Sequence, residues 1–266
     1  MAAGVAWFVV FSGCASGSLV GDDTARPSAP ETESTEIHRV YLVGDAGYVR
    51  TDGNANPLFD ALVASTNTAP DSRTLVFLGD NVYCCGLPDS SSRGRALAQA
   101  RLDELIDLGR RFDGRTVFIP GNHDWNNSGP AGHEYVRRME EYVESALGEE
   151  AFLPDGALPG PAVVELADDV VMVAIDTEWW LTRQTRPYGE SGDYEIDEDL
   201  DFAVALTDVL EKHAGDRVLL VGHHPTYSQG GHNGRHPAKT HLFPLTRRWP
   251  NMYVPLPVLG SAYVLA

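Results

Sequence analysis

Apolar residues along the chain recur in short β-branched runs, and each run ends in the same way. Val40-Tyr41-Leu42-Val43 leads to Gly44-Asp45, Thr74-Leu75-Val76-Phe77-Leu78 to Gly79-Asp80, and Thr116-Val117-Phe118-Ile119-Pro120 to Gly121-Asn122. Much later, Val218-Leu219-Leu220-Val221 leads to Gly222-His223. Short runs of this kind, bounded by glycine and a polar residue, predict buried strands. Between them, Ala98, Leu102, Leu105, Gly109 and Phe112 recur at helical spacing, as do Ile196, Leu200, Ala203, Leu206 and Leu210, and each set predicts one face of an amphipathic helix. Residues 162–166 and 170–175 flank Ala167-Asp168-Asp169 as a hairpin. Strands alternating with helices predict a layered α/β domain with a largely buried sheet. Functional side chains in such sheets sit on the loops past the carboxyl ends of the strands. The four strand ends are therefore expected to converge.

The start of the chain follows a different pattern. Residues 5–11 are almost wholly apolar and run into Phe11-Ser12-Gly13-Cys14, a short hydrophobic segment followed by small residues and a cysteine. This reads as an export signal over residues 1–14, and its end resembles a bacterial lipobox, in which Cys14 would become the lipidated first residue of the mature protein. An ordinary cleaved signal with an incidental cysteine fits the same stretch. Residues 15–36 are rich in Ser, Thr, Pro, Asp and Glu, too polar to bury a core, and read as a linker. Residues 37–266 form the expected folded domain. The expected location is outside the cytoplasm, in a bacterial envelope or periplasm, lipid-anchored or secreted. No other apolar run approaches the roughly 20 residues needed to cross a bilayer, so membrane contact is expected only through a lipid anchor.

Composition narrows the function. The chain has 266 residues, 43% hydrophobic and 22% charged, which excludes disorder and coiled coil for the chain as a whole. The formal charge of −18 opposes generic nucleic-acid binding. Three cysteines are too few for a disulfide scaffold.

Taken singly, Gly-Asp after a strand is usually a turn with a self-capping side chain. The conjunction is what points to chemistry: Gly44-Asp45-Ala46-Gly47, Gly79-Asp80-Asn81-Val82-Tyr83, Gly121-Asn122-His123-Asp124 and Leu220-Val221-Gly222-His223, with His232 nine residues on. Hard oxygen donors, a phenol, an amide and imidazoles on successive strand ends suit a pair of divalent or trivalent cations, with a shared carboxylate as bridge.

These blocks, in this order over residues 40–232, resemble the calcineurin-like metallophosphoesterases, and within them the purple acid phosphatase branch. Two details carry the narrower likeness: the first block reads Asp-x-Gly where most relatives have Asp-x-His, and Tyr83 stands three residues after Asp80. The resemblance implies a four-layer αββα sandwich and a dinuclear site with Fe(III) and a divalent Fe, Zn or Mn. One metal would take Asp45, Asp80 and Tyr83, and the other Asp80, Asn122 and His223, with Asp80 bridging. His123 and His232 would be the catalytic histidines beside the phosphate, stabilising the pentacoordinate state and protonating the leaving alkoxide. The implied reaction is in-line attack on a phosphomonoester by a metal-bound hydroxide, with a phosphorylated small molecule or protein as substrate. A phosphodiesterase of the same superfamily, or a non-catalytic envelope lipoprotein that keeps the fold as a binding module, are the alternatives.

The sequence departs from the family pattern in one respect. The family closes its site with a Gly-His-x-His block on a later strand, and none follows His232, so the fold is expected to be C-terminally incomplete through truncation. Cys84-Cys85 reads equally as a vicinal disulfide, a soft ligand pair or two small loop residues. Trp179-Trp180 is expected to pack in the core rather than line a substrate mouth. Asp197, Glu198 and Asp199 are expected at a helix start, complementing its dipole, rather than in a calcium site.

Overall fold

The computed structural model describes residues 38–48, 57–66, 72–226, 242–243, 245 and 251–255. The expected signal and linker, and His232, lie outside the described residues. The chain divides into two units, Met1–His224 and Pro225–Ala266. In the second, the Phe243 ring stands edge-on to Tyr253, with centroids 5.6 Å apart.

In the first unit, β1 (His38–Val43), β2 (Ser72–Leu78) and β3 (Arg115–Ile119) form a parallel sheet in the order β1-β2-β3. Val43 pairs with Phe77, and Phe77 with Phe118. Helix α1 (Pro57–Thr66) lies between β1 and β2 in the chain and α2 (Arg95–Arg111) between β2 and β3, the crossover arrangement that parallel strands require. A second sheet is mixed: β4 (Ala162–Ala167) runs antiparallel to β5 (Val170–Ala174), which runs parallel to β8 (Arg217–Val221). The hairpin expected around Asp168 and Asp169 is the β4–β5 connection. A small hairpin, β6 (Gly189–Ser191) and β7 (Tyr194–Ile196), precedes α5 (Asp199–Lys212).

Alternation along β2 sorts side chains to two cores. Leu75 and Phe77 join Phe118 on the face covered by α2 and by α3 (Gly132–Leu147), where Leu102, Leu105, Val136, Met139 and Val143 are buried. Val76, with Val117 and Ile119 of β3, faces the other way and packs against Val164, Met172, Ala174 and Val221 of the second sheet. The result is the mixed α/β architecture expected from the sequence, with helices on one side of a sheet and a second sheet on the other.

Two readings are corrected. The helical face set at Ile196, Leu200, Ala203, Leu206 and Leu210 is out of phase: Ile196 belongs to β7, Leu200 is 63% exposed, and the buried positions of α5 are Ala205 and Val209. The pair Trp179-Trp180 divides, with Trp179 in the core and Trp180 exposed. The acidic helix start stands as expected: Glu198 caps α5 and makes a reciprocal capping box with Asp201. Cys84 and Cys85 are joined as a disulfide.

Candidate metal centre

The strand ends of both sheets meet. Asp45 follows β1, Asp80 and Tyr83 follow β2, Asn122 and His123 follow β3, and His223 follows β8. Asp45 and Asp80 both adopt left-handed backbone, with φ of 56° and 54°, a conformation that aspartate tolerates better than most residues and that turns the chain sharply at the end of a strand. Gly79 permits the close approach: at φ +87° its missing Cβ would lie 2.7 Å from the Gly121 nitrogen and 2.8 Å from His223 Nδ1. Any side chain there would push the β2, β3 and β8 loops apart.

Asp80 sits at the centre and is 3% exposed. Its Oδ1 accepts the His123 amide at 2.9 Å and lies 3.4 Å from His223 Nε2, while Oδ2 lies 3.9 Å from His123 Nε2. On one side, the Tyr83 hydroxyl donates to Asp45 Oδ1 at 2.7 Å, beside the Asp80 carboxylate. On the other, His223 Nε2 lies 3.2 Å from Asn122 Oδ1. Five of the six expected site residues placed here therefore form two groups joined through Asp80, and the sixth, His123, packs its ring against that of Tyr83, tilted by 54° with centroids 4.4 Å apart. His232 is outside the described residues.

The donor set fits cations. His223 Nδ1 donates to the Leu78 carbonyl at 2.8 Å, so a neutral, metal-ligating ring would aim its Nε2 lone pair toward two oxygen acceptors, Asn122 Oδ1 and Asp80 Oδ1. Three acceptors facing one another repel unless something positive lies among them. Among the described residues no three His, Cys, Asp or Glu side chains form a metal-binding group on their own. The converging donors here include a phenol and an amide. Burial, the bond to Asp45 and the charge of Asp80 hold the Tyr83 phenol well above its usual pKa, so without a cation it stays neutral and donates.

Several buried groups behind these donors went unread in the sequence. Asp124 accepts the amides of Gly121, Asn81 and Val82 and the Asn81 side chain, at 2.9 to 3.1 Å, and so ties the Gly-Asp-Asn loop to the Gly-Asn-His loop. Burial, reinforced by the Asp80 charge, raises its pKa. Asp176 caps the short helix α4 (Thr177–Leu181) through the Glu178 and Trp179 amides and accepts from Trp125 Nε1 at 2.8 Å. Glu178, 3% exposed, bonds the Ser128 hydroxyl and lies 3.7 Å from His224 Nε2. The available signal was an acidic residue soon after the apolar run of β5, the same pattern that marked Asp45 and Asp80, but without a glycine before it.

His123 Nδ1 lies 2.6 Å from the Cys84 carbonyl, so its second nitrogen is the one turned toward Asp80. A family model of calcineurin-like phosphoesterases matches residues 38–250. No curated protein matches the chain. The match spans both sheets and every donor described above, and the chain belongs to the calcineurin-like phosphoesterase family, metal-dependent hydrolases of phosphoesters that bind two metal ions.

Proposed function

We propose that the protein is a phosphomonoesterase of the purple acid phosphatase branch, exported to the cell envelope, with Asp45, Asp80 and Tyr83 holding Fe(III) and Asp80, Asn122 and His223 holding a divalent Fe, Zn or Mn. The observation that carries the reading is the Tyr83 hydroxyl on Asp45, at 2.7 Å and beside Asp80, because a phenol at that point of the site is a donor suited to a trivalent cation. When bound, the two cations would supply Lewis acidity to the phosphoryl oxygens and to an attacking water.

The chain's own residues divide the remaining work. Asp80 keeps the two donor groups at one spacing and presents an oxygen to each. His123 donates its Nδ1–H to the Cys84 carbonyl, so Nε2 is the nitrogen left to exchange a proton with a leaving alkoxide. Asp124 and the loop amides that it binds hold these groups against displacement when a charged phosphate enters. His232 would serve as the second histidine at the phosphate.

Substitution Asp80→Ala removes the group shared by both donor sets. Hydrolysis of p-nitrophenyl phosphate is expected to fall to background, with metal content falling in parallel. Retained hydrolysis would sink the mechanism. Faster turnover of bis(p-nitrophenyl) phosphate than of the monoester by the wild-type protein would move the reading to a phosphodiesterase. A wild-type chain that binds no metal would favour the non-catalytic binding module.

A further inference from the structure

Two of the donors come from different sheets. Asn122 follows β3 of the first sheet and His223 follows β8 of the second, yet their side chains lie 3.2 Å apart. Apolar packing between the sheets is non-directional, so a fixed spacing between these two groups needs polar contacts that cross from one sheet to the other. One is the His223 Nδ1 bond to the Leu78 carbonyl of β2, and a dipeptide after β5 supplies others. Asp176 Oδ2 accepts Trp125 Nε1 at 2.8 Å and so grips the loop that carries Asn122. Thr177 Oγ1 accepts the His224 amide at 3.1 Å and lies 2.8 Å from His224 Nδ1. Its methyl group fills the space beside Gly222, where a Cβ would come within 2.9 Å of Thr177 Cγ2. Thr177 therefore touches the residues on both sides of His223. The His224 ring in turn stands edge-on to the His223 ring, 4.8 Å away at 80°.

We propose that Asp176-Thr177 is a strap that sets the spacing of Asn122 and His223, and that Thr177 is a positioning residue for the cation these two hold. This rests on the dinuclear reading above. The strap acts on one of the two donor groups only: Asp45 and Tyr83 follow strands of the first sheet, and no bond from Asp176 or Thr177 reaches them among the contacts described.

The test is titration of the metal-depleted full chain with Zn²⁺ alone, followed by calorimetry, which reads affinity without turnover. Wild type is expected to bind two ions, more weakly at Asp45, Asp80 and Tyr83 because the phenol favours a trivalent cation, and a failure of the Asp80, Asn122 and His223 site to fill overturns the dinuclear reading itself rather than the strap. Thr177→Val keeps the shape and loses the hydroxyl. One dissociation constant is expected to rise about 10- to 100-fold while the other holds, the usual cost of losing a partner behind a metal ligand. Trp125→Phe cuts the strap at its other end and is expected to weaken the same single site. Thr177→Ser, which keeps the hydroxyl, is expected to bind both ions as wild type does, and Trp125→Phe decides the matter should Thr177→Val fail to fold. Wild-type constants in both Thr177→Val and Trp125→Phe overturn the proposal, as does equal weakening of both sites or a loss of affinity in Thr177→Ser.

Discussion

Tyr83 separates two readings of the same site. A phenol in water loses its proton at about pH 10, and here burial, the bond to Asp45 and the Asp80 charge all push that point upward. Ionisation at ordinary pH therefore needs a strongly polarising cation held by Asp45 and Asp80, a demand that the proposed iron(III) meets better than zinc or manganese. A tyrosinate on ferric iron absorbs visible light. The wild-type protein loaded with iron under oxidising conditions is expected to be coloured. Tyr83→Phe should lose the colour while keeping the fold, since the ring still packs 4.4 Å from His123 and 6.5 Å from Tyr48. The measurement is a visible spectrum with iron counted by elemental analysis. A colourless protein that contains its full iron would make Tyr83 a packed aromatic that donates to Asp45, and the branch assignment would fall back to the family alone.

At the scale of single elements, the start of α5 gives a clean case because its cap lies away from the metal donors. Asp201 Oδ2 accepts the Glu198 amide at 2.8 Å and the Asp197 amide at 2.9 Å, and the Glu198 side chain caps the helix in return. Asp201→Ala is expected to cost about 1 kcal/mol and to lower Tm by roughly 2 to 4 °C, with metal content unchanged. Scanning calorimetry beside metal analysis checks both halves. That helix start was legible because clustered acids before an apolar period have a local cause. The face of α5 was not, because Ile196 stands at helical spacing from Leu200 yet pairs in β7, and the acids that mark the helix start do not fix its phase. Helix α3 escaped for a related reason: Val136, Met139 and Val143 carry its buried stripe, but each is separated from the next by charged residues. The strands were plain, since β-branched runs ending in Gly-Asp, Gly-Asn and Gly-His combine propensity, burial and turn chemistry at one place. So were the donors that those turns present. Asp176 and Thr177 were hidden because their meaning depends on Trp125 and His224, which are distant in sequence and come near only when the sheets pack.

For the whole molecule, acidity and burial combine to set how stability depends on pH. The chain carries a formal charge of −18, and Asp124 and Asp176 behind the site add buried carboxylates. Burial pushes Asp176 up to about 8 despite three donors on its oxygens, and pushes Glu140, which accepts the Gly156 amide, up to about 7. Glu144 and Asp155 are raised as well, again chiefly by burial. A carboxylate whose folded pKa lies above its unfolded value of about 4 holds a proton that the unfolded chain has already released. Its contribution is complete below pH 4 and is lost as pH climbs through 7 and 8. The metal-free protein is therefore expected to be more stable at pH 5 than at pH 8, with Tm falling on the order of 10 °C across that interval. Repulsion among the remaining acidic groups acts in the same direction. Asp176→Asn removes the group with the highest of these values, so its Tm should be flatter between pH 6 and 9 than that of wild type, even though its Tm at pH 5 is lower. Differential scanning fluorimetry in chelator, run on both proteins over the same buffers, reads the two slopes. A wild-type Tm that rises toward pH 8 would mean that Asp176 and Glu140 are ionised in the fold at little cost. Parallel slopes in the two proteins would place the pH dependence elsewhere in the acidic surface.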